Sequence, residues 1–370
     1  MFFLAKSAEL CYDTIMDMNE ILKQLPAPLL AWYRENARDL PWRRTRDPYR
    51  IWVSEIMLQQ TRVVAVLGYY DRFLKAFPTV RALAEALEEQ LLKCWEGLGY
   101  YSRARNLQKA ANVIVNEHGG AFPETYEALL KLPGIGEYTA GAIASSAFAQ
   151  PVPAVDGNVL RVVSRITNCY DDVADLKVRK RFRNEIAEIF PEEEAAIRIF
   201  NQALMELGAT VCVPNGAPKC ANCPAAGLCE ARKRGTWAEL PVKAPKKERR
   251  VEEKTVFLLF QKGRIALRKR ENKGLLAGLW EFPNVPGRLD EAQAQSALRD
   301  WGVTAGEWKK QLAAKHIFTH VEWHMSGYVL DAVGNGPSDF FWVDLETLKT
   351  LAVPSAFARY YQEAAQTLSE

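Results

Sequence analysis

Two carboxylates in this chain have surroundings that suit complementary acid–base roles. Glu55 lies in a helical stretch whose neighbours one turn away are Ile51, Trp52, Leu58 and Gln59. Three of those four are apolar. A carboxyl among apolar groups loses hydration, so its pKa rises and it can remain a proton donor near neutral pH. A place at the edge of a buried face, paired with Arg62, is the plainer alternative. Asp156, in Val155-Asp156-Gly157-Asn158, opens another helical run. As an N-cap it would accept backbone N–H bonds and face the helix dipole, which lowers its pKa and keeps it ionised. One raised and one lowered carboxylate pKa is the pairing expected where one group gives a proton and the other stabilises positive charge.

Leu132-Pro133-Gly134-Ile135-Gly136 ends twenty residues before Asp156. It separates helical stretches at about 124–131 and 137–148, and its two glycines permit positive φ and close backbone approach. Backbone N–H groups at the start of the second stretch would form an anion site without a basic side chain. The run Tyr138-Thr139-Ala140-Gly141-Ala142-Ile143-Ala144 is small enough to pack tightly behind the turn. An ordinary αα-hairpin fits the same residues. Phosphate-holding N–H groups together with a downstream carboxylate suggest chemistry on nucleic acid.

Four of the seven cysteines fall within 18 residues, as Cys212-x7-Cys220-x2-Cys223-x5-Cys229. One close pair plus two outlying thiols in a compact loop suits a cubane iron–sulfur cluster, and zinc, which usually takes two close pairs, comes second. The odd total argues against a secreted disulfide framework, leaving Cys11, Cys94 and Cys169 as inert thiols.

The elements that must position these groups divide the chain in two. At 370 residues it is longer than one typical domain, and 48% apolar residues support large cores. A net charge of +3 is too small to reveal a nucleic-acid binder, so any such contact must be local. No apolar run approaches the ~20 residues that span a bilayer. Met1-Phe2-Phe3-Leu4 is too short for the apolar part of a signal peptide. With Met16 and Met18 following, the leader reads as a start-site extension and the protein as cytosolic. Helical patterning runs from about 27 to 210, for example at 49–76, 82–94, 103–117 and 183–208, with breaks at Pro78, Gly97, Gly99, Gly119-Gly120 and Pro191. Residues 231–254 form a polar connector with nine Lys/Arg against four acids, either a solvated linker or one lying beside DNA. Beyond it the period becomes two. Thr255–Gln261 and Ile265–Arg270 flank a hairpin turn at Lys262-Gly263-Arg264; a helix at 290–300, strands at 309–318, 323–332 and Phe340–Val343, and a final helix complete an α+β pattern.

Several runs carry a resemblance to one family. Trp52-Val53-Ser54-Glu55-Ile56-Met57-Leu58-Gln59-Gln60-Thr61, Gly97-Leu98-Gly99-Tyr100-Tyr101-Ser102-Arg103-Ala104-Arg105 and Val155-Asp156-Gly157-Asn158-Val159, with the hairpin and the cysteines, resemble the MutY-type adenine DNA glycosylases of the endonuclease III, helix-hairpin-helix superfamily. The match covers about 27–365. It implies an all-α helix-hairpin-helix glycosylase domain at 27–230 with a [4Fe-4S] loop at 212–229, after an extension at 1–26. A basic linker at 231–254 and an α+β Nudix-like domain at 255–366 would follow, giving a multidomain protein.

The same resemblance assigns roles. Glu55 protonates adenine at N7, Asp156 stabilises the oxocarbenium ion at C1′, and Tyr138 and Asn158 assist. Bifunctional relatives carry a lysine at position 138, and Tyr138 cannot form their Schiff base, which implies a monofunctional enzyme. Leu58, Gln60 and Tyr100 wedge into the duplex, Trp42 and Arg43 surround the flipped adenine, and Gly134, Ile135 and Gly136 hold phosphate. Cys212, Cys220, Cys223 and Cys229 bind the cluster, with one residue more between the first two than in relatives. The chain departs from the family again at the adenine-pocket glutamate, where it has Gln202. In the second domain Gly274-Leu275-Leu276-Ala277-Gly278-Leu279-Trp280-Glu281-Phe282-Pro283 is Nudix-like, but the Arg-Glu…Glu-Glu magnesium cluster is missing, which leaves a recognition role. Phe318, Thr319 and His320 match the loop that reads 8-oxoguanine, with Thr319 where many relatives have Ser. The expected partner is duplex DNA holding adenine opposite 8-oxoguanine or guanine. The protein is expected to act as a monomer, away from membranes and with the nucleoid if bacterial. An endonuclease III-like pyrimidine glycosylase/lyase and a non-catalytic DNA-binding iron–sulfur protein are the alternatives.

Overall fold

The computed structural model describes residues 18–244 and 248–370; most of the expected N-terminal extension, with Cys11, and linker residues 245–247 lie outside them. Among the described residues, the α-helices ahead of the first strand include, in chain order, α1 (Pro26–Asn36), α2 (Pro48–Leu58), α3 (Val63–Ala76), α4 (Val80–Ala84), α5 (Glu88–Cys94), α6 (Ser102–Glu117), α7 (Tyr126–Leu129), α8 (Glu137–Phe148), α9 (Gly157–Ile166), α10 (Leu176–Glu188), α11 (Glu194–Thr210) and α12 (Glu230–Arg234). The chain packs as two compact units, one from residues up to 84 with 106–245, the other from 85–105 with 246–370.

In the first unit, local capping marks the starts of α2, α9 and α10. Asp47 accepts the Tyr49 N–H and Pro48 fixes the first turn of α2, Asp156 caps α9, and Asp175 caps α10. Leu22, Leu25 and Leu29 meet Val159, Val162, Val163, Phe182, Phe200, Leu204 and Leu207 in one core, so α1, α9, α10 and α11 share a single apolar interior. The stretch expected as one helix at 49–76 is two, because the chain turns at Gln60, which has a φ of 58°. That at 82–94 is likewise split, into α4 and α5. α2 is buried on nearly every side, whereas α3 buries only Val66, Tyr70 and Phe73. The two segments therefore face different environments and need different directions. No Gly or Pro marks the turn at Gln60.

Only one of the two hairpin glycines is needed for positive φ. Gly134 has a φ of 75°, and a Cβ there would lie 2.6 Å from that of Asn106; Gly136 is extended, at −96°. Two further glycines permit close approach of whole elements. A Cβ on Gly141 would lie 2.5 Å from the Pro153 carbonyl oxygen, and one on Gly208 would lie 2.6 Å from the Asn158 Cβ. α8 and α11 are thereby drawn onto the segment that carries Asp156. Asn201, buried on α11, ties the same segment down: its side chain accepts the Ala154 N–H at 2.9 Å and donates to the Val152 carbonyl at 2.8 Å.

The second unit is built on β1 (Arg250–Gln261), β2 (Arg264–Lys269), β3 (Trp280–Glu281), β4 (Asn284–Pro286), α13 (Glu291–Asp300), β5 (Thr304–Ile317), β6 (Val321–Val333), β7 (Phe340–Val343), α14 (Leu345–Thr350) and α15 (Ala358–Ser369). The strand order is β3-β2-β1-β6-β5, with β4 on β1 and β7 on β2. β1 and β6 run parallel, from Arg250 opposite Val321 to Phe260 opposite Asp331. The alternation expected for β1 gives way to burial at every position from Thr255 to Phe260, as for a central strand covered on both faces. Val256, Leu258 and Phe260 feed one core, Phe257 and Leu259 the other.

Gly141→Ala should lower the stability of the first unit by about 1–3 kcal/mol, the usual cost of overpacking. Thermal unfolding of the whole chain checks it, and an unchanged transition would contradict the close approach of α8 to Pro153.

Candidate active site

α2, α8, α9 and α11 converge on a cavity of about 750 Å³ within the first unit. α2 presents Glu55, 9% exposed. Tyr138, from the first turn of α8, donates its hydroxyl to Glu55 Oε2 at 2.7 Å and also approaches Met205 Sδ at 3.2 Å. The partner of Glu55 is thus Tyr138 rather than Arg62. Burial pushes the Glu55 carboxyl up to about 7, the Tyr138 hydrogen bond opposes this, and negative charge on Asp156 adds to it.

Asp156 caps α9 as expected, accepting the Asn158 and Val159 N–H groups at 2.9 Å each and the Asn158 side-chain amide at 2.7 Å. Its pKa, however, is raised rather than lowered, because enclosure outweighs the three hydrogen bonds and the nearby Arg161. The expected lowered pKa is therefore incorrect. Three donors oppose burial at Asp156, against one at Glu55.

The same cavity is lined by Glu206, a residue that the sequence did not single out. Glu206 on α11 is fully buried and receives Arg38 Nε at 2.7 Å, Arg38 Nη2 at 2.7 Å and Arg43 Nη2 at 2.6 Å. Burial works against its charge, yet these donors hold its carboxyl down at about 2. The Gln202 amide accepts from the Tyr33 hydroxyl at 2.7 Å and donates to Ser146 at 3.2 Å. Met205, Glu206 and Ala209 follow Gln202 at helical spacing along one face of α11, the periodicity that could have revealed them.

Trp42, Arg43, Leu58, Gln60, Gly136 and Asn158 line this cavity with the two carboxylates. Ile135 is buried, and its N–H is already bonded to the Leu132 carbonyl at 3.1 Å. The first turn of α8 has no side-chain cap. Tyr100, Phe318, Thr319 and His320 are not at this cavity. They line a second one, of about 370 Å³, inside the other unit, where the Tyr100 and Thr319 hydroxyls are hydrogen-bonded. Phe318 packs edge-on between His316 and Trp323. Gln60 and Tyr100 both have left-handed backbone, at φ 58° and 47°, a conformation non-glycine residues adopt at a cost.

Cys212, Cys220, Cys223 and Cys229 line one small apolar pocket with Val162, Ile166 and Trp237. Among the described residues, no group of three or more His, Cys, Asp or Glu side chains is gathered as ligands of one metal ion.

Residues 53–188 match the family model of the HhH-GPD superfamily base excision DNA repair proteins, and 255–363 match that of the NUDIX domain. The chain is 36% identical to the human adenine DNA glycosylase over 95% of its own length and 76% of that protein. It belongs to the adenine DNA glycosylase family. A relative of the same name from Buchnera aphidicola subsp. Acyrthosiphon pisum is 32% identical over 80% of this chain and 84% of its own. Among solved structures, a thermostable thymine-DNA glycosylase is 30% identical, with a TM-score of 0.53 over 58% of this chain and 98% of that one. This chain is thus a DNA glycosylase of base-excision repair, with a helix-hairpin-helix domain followed by a sheet-containing Nudix-like domain. No helix among the described residues is long and apolar enough to cross a membrane.

If Glu55 is the acid of this glycosylase, it must be protonated to act. The single-turnover rate should therefore fall as pH rises through about 7. A rate that climbs through that range would instead make Glu55 a base.

Proposed function

We propose that this glycosylase removes adenine mispaired with 8-oxoguanine or guanine in duplex DNA, and that it does so without cleaving the backbone. The observation that carries this reading is a carboxyl poised near neutral pH and hydrogen-bonded to Tyr138 in the cavity that also holds a capped aspartate. Glu55 delivers its proton to N7 of the extruded adenine, so the base leaves neutral as the bond from C1′ breaks. Asp156, oriented by Asn158, stabilises the oxocarbenium ion that remains. Tyr138 fixes the Glu55 carboxyl and offers no amine for a Schiff base.

The contacts of Trp42, Arg43, Leu58 and Gln60 follow the walls of this cavity, and that of Tyr100 the second cavity. Trp42 and Arg43 meet the flipped base, while Leu58, Gln60 and Tyr100 enter the duplex and offset the few kcal/mol of unstacking. A phosphate settles on the uncapped N-terminus of α8 beside Gly134, Ile135 and Gly136. Phe318, Thr319 and His320 read 8-oxoguanine opposite the adenine. The four clustered thiols share one apolar pocket, a donor set that fits a [4Fe-4S] cluster held by Cys212, Cys220, Cys223 and Cys229. Bound there, the cluster would fix the 212–229 loop; none of the steps above passes through it. We place the protein in the cytoplasm, as a monomer on DNA.

Single-turnover cleavage of duplexes carrying adenine opposite 8-oxoguanine, adenine opposite guanine, or an oxidised pyrimidine tests this reading. Release from the first two alone, with no borohydride-trapped adduct, is expected; pyrimidine release or efficient trapping would overturn it. Changing Thr319 and His320 together to Ala should cost about 1–3 kcal/mol on the 8-oxoguanine duplex and little on the guanine duplex at the same salt concentration. Equal loss on both would remove the lesion-reading role.

The purified protein should be brown, with about four irons per chain. Stoichiometric zinc in a colourless protein would replace the cluster with a mononuclear site.

A further inference from the structure

Glu206 has no part in the chemistry described above, yet it is fully buried in the wall of the catalytic cavity. Both of its oxygens are used. Oε1 takes the Arg38 backbone N–H at 3.1 Å and Arg38 Nε at 2.7 Å; Oε2 takes Arg38 Nη2 at 2.7 Å and Arg43 Nη2 at 2.6 Å. Arg43 is fixed further by donating Nη1 to the Arg38 carbonyl at 2.9 Å and by lying 5.5 Å from the centre of the Tyr33 ring. A guanidinium with an otherwise mobile stem is thereby held in one place, 15% exposed, in the wall facing Glu55.

The charges around Glu55 make this arrangement consequential. Tyr138 and Glu137 face the cavity from α8, Asp156 from α9, Arg179 from α10, Arg38 and Arg43 from the segment before α2, and Glu206 from α11. Arg43 draws the Glu55 carboxyl toward ionisation. Arg38, Arg43 and Glu206 together carry one net positive charge; without Glu206 they would carry two, in a site of low dielectric where charge acts strongly. We propose that Glu206 is a positioning residue for adenine release: it holds Arg43 in the cavity wall and offsets the two guanidiniums, so that donors can face the base while Glu55 keeps its proton. The proposal rests on the reading of Glu55 as the acid.

Opposite changes of local charge should move the alkaline midpoint of the single-turnover rate in opposite directions. On a duplex with adenine opposite 8-oxoguanine, Glu206→Gln should lower the midpoint by at least about half a pH unit and Arg43→Gln should raise it. Glu206→Asp, which keeps the charge and shortens the reach, should lose rate while keeping the wild-type midpoint. A merely structural role would lower rates without this pattern of signs. For a variant too slow to follow, the midpoint is read from the infrared carboxyl band of Glu55. If Glu206→Gln does not fold by circular dichroism, Arg43→Gln and Glu206→Asp decide. Midpoints that stay fixed, or that move the same way for opposite charge changes, overturn the proposal. If wild-type protein releases no adenine, the reading of function fails by itself, and the infrared midpoints still decide the role of Glu206.

Discussion

Withdrawing the Glu55 carboxyl from water is the constraint on which the rest of this site depends. Burial makes the charged form expensive, and one phenol oxygen supplies its hydrogen bond. The surrounding architecture serves to keep water out and to bring a second carboxylate close. α2 is buried along nearly its whole length. Small residues let α8 approach, with Gly141 against Pro153, and Gly208 lets α11 press against Asn158. Asn201 then pins residues 152–154, just ahead of Asp156. Packing at these glycines and at Asn201 thus sets where a proton and a negative charge can reside.

Asp156 illustrates how two effects compete at one residue. The cap geometry and its three donors favour the carboxylate, and enclosure beside Glu55 disfavours it. Negative charge on Asp156 in turn makes ionisation of Glu55 harder. On the proposed assignment the proton stays on Glu55, the carboxyl with fewer donors. That division suits a reaction needing an acid on the base side and an anion on the sugar side.

How much of this was legible in the sequence depended on whether the signal was local. The cap at Asp156, the hairpin at Lys262-Gly263, the strand at Phe340–Val343 and the apolar surroundings of Glu55 all follow from residues a few positions apart. The turn at Gln60 did not, because no Gly or Pro announces it and tertiary packing of α2 and α3 imposes it. Burial of β1 on both faces depends on α13 and α15, which lie far along the chain. The shift at Asp156 depends on burial by the folded chain, to which a motif is blind. Glu206 escaped notice for a related reason: a glutamate on a helix reads as solvated until the two arginines from before α2 are seen against it.

Infrared titration of the carboxyl bands in wild-type protein, Glu55→Gln and Asp156→Asn tests the central claim directly. The account predicts that the wild-type protein has a protonated carboxyl at pH 6 that is missing from Glu55→Gln, persists in Asp156→Asn, and loses its proton near pH 7. If that band instead disappears with Asp156→Asn, or Glu55→Gln leaves the spectrum unchanged, the proton is not on Glu55 and the assignment of acid and anion is wrong.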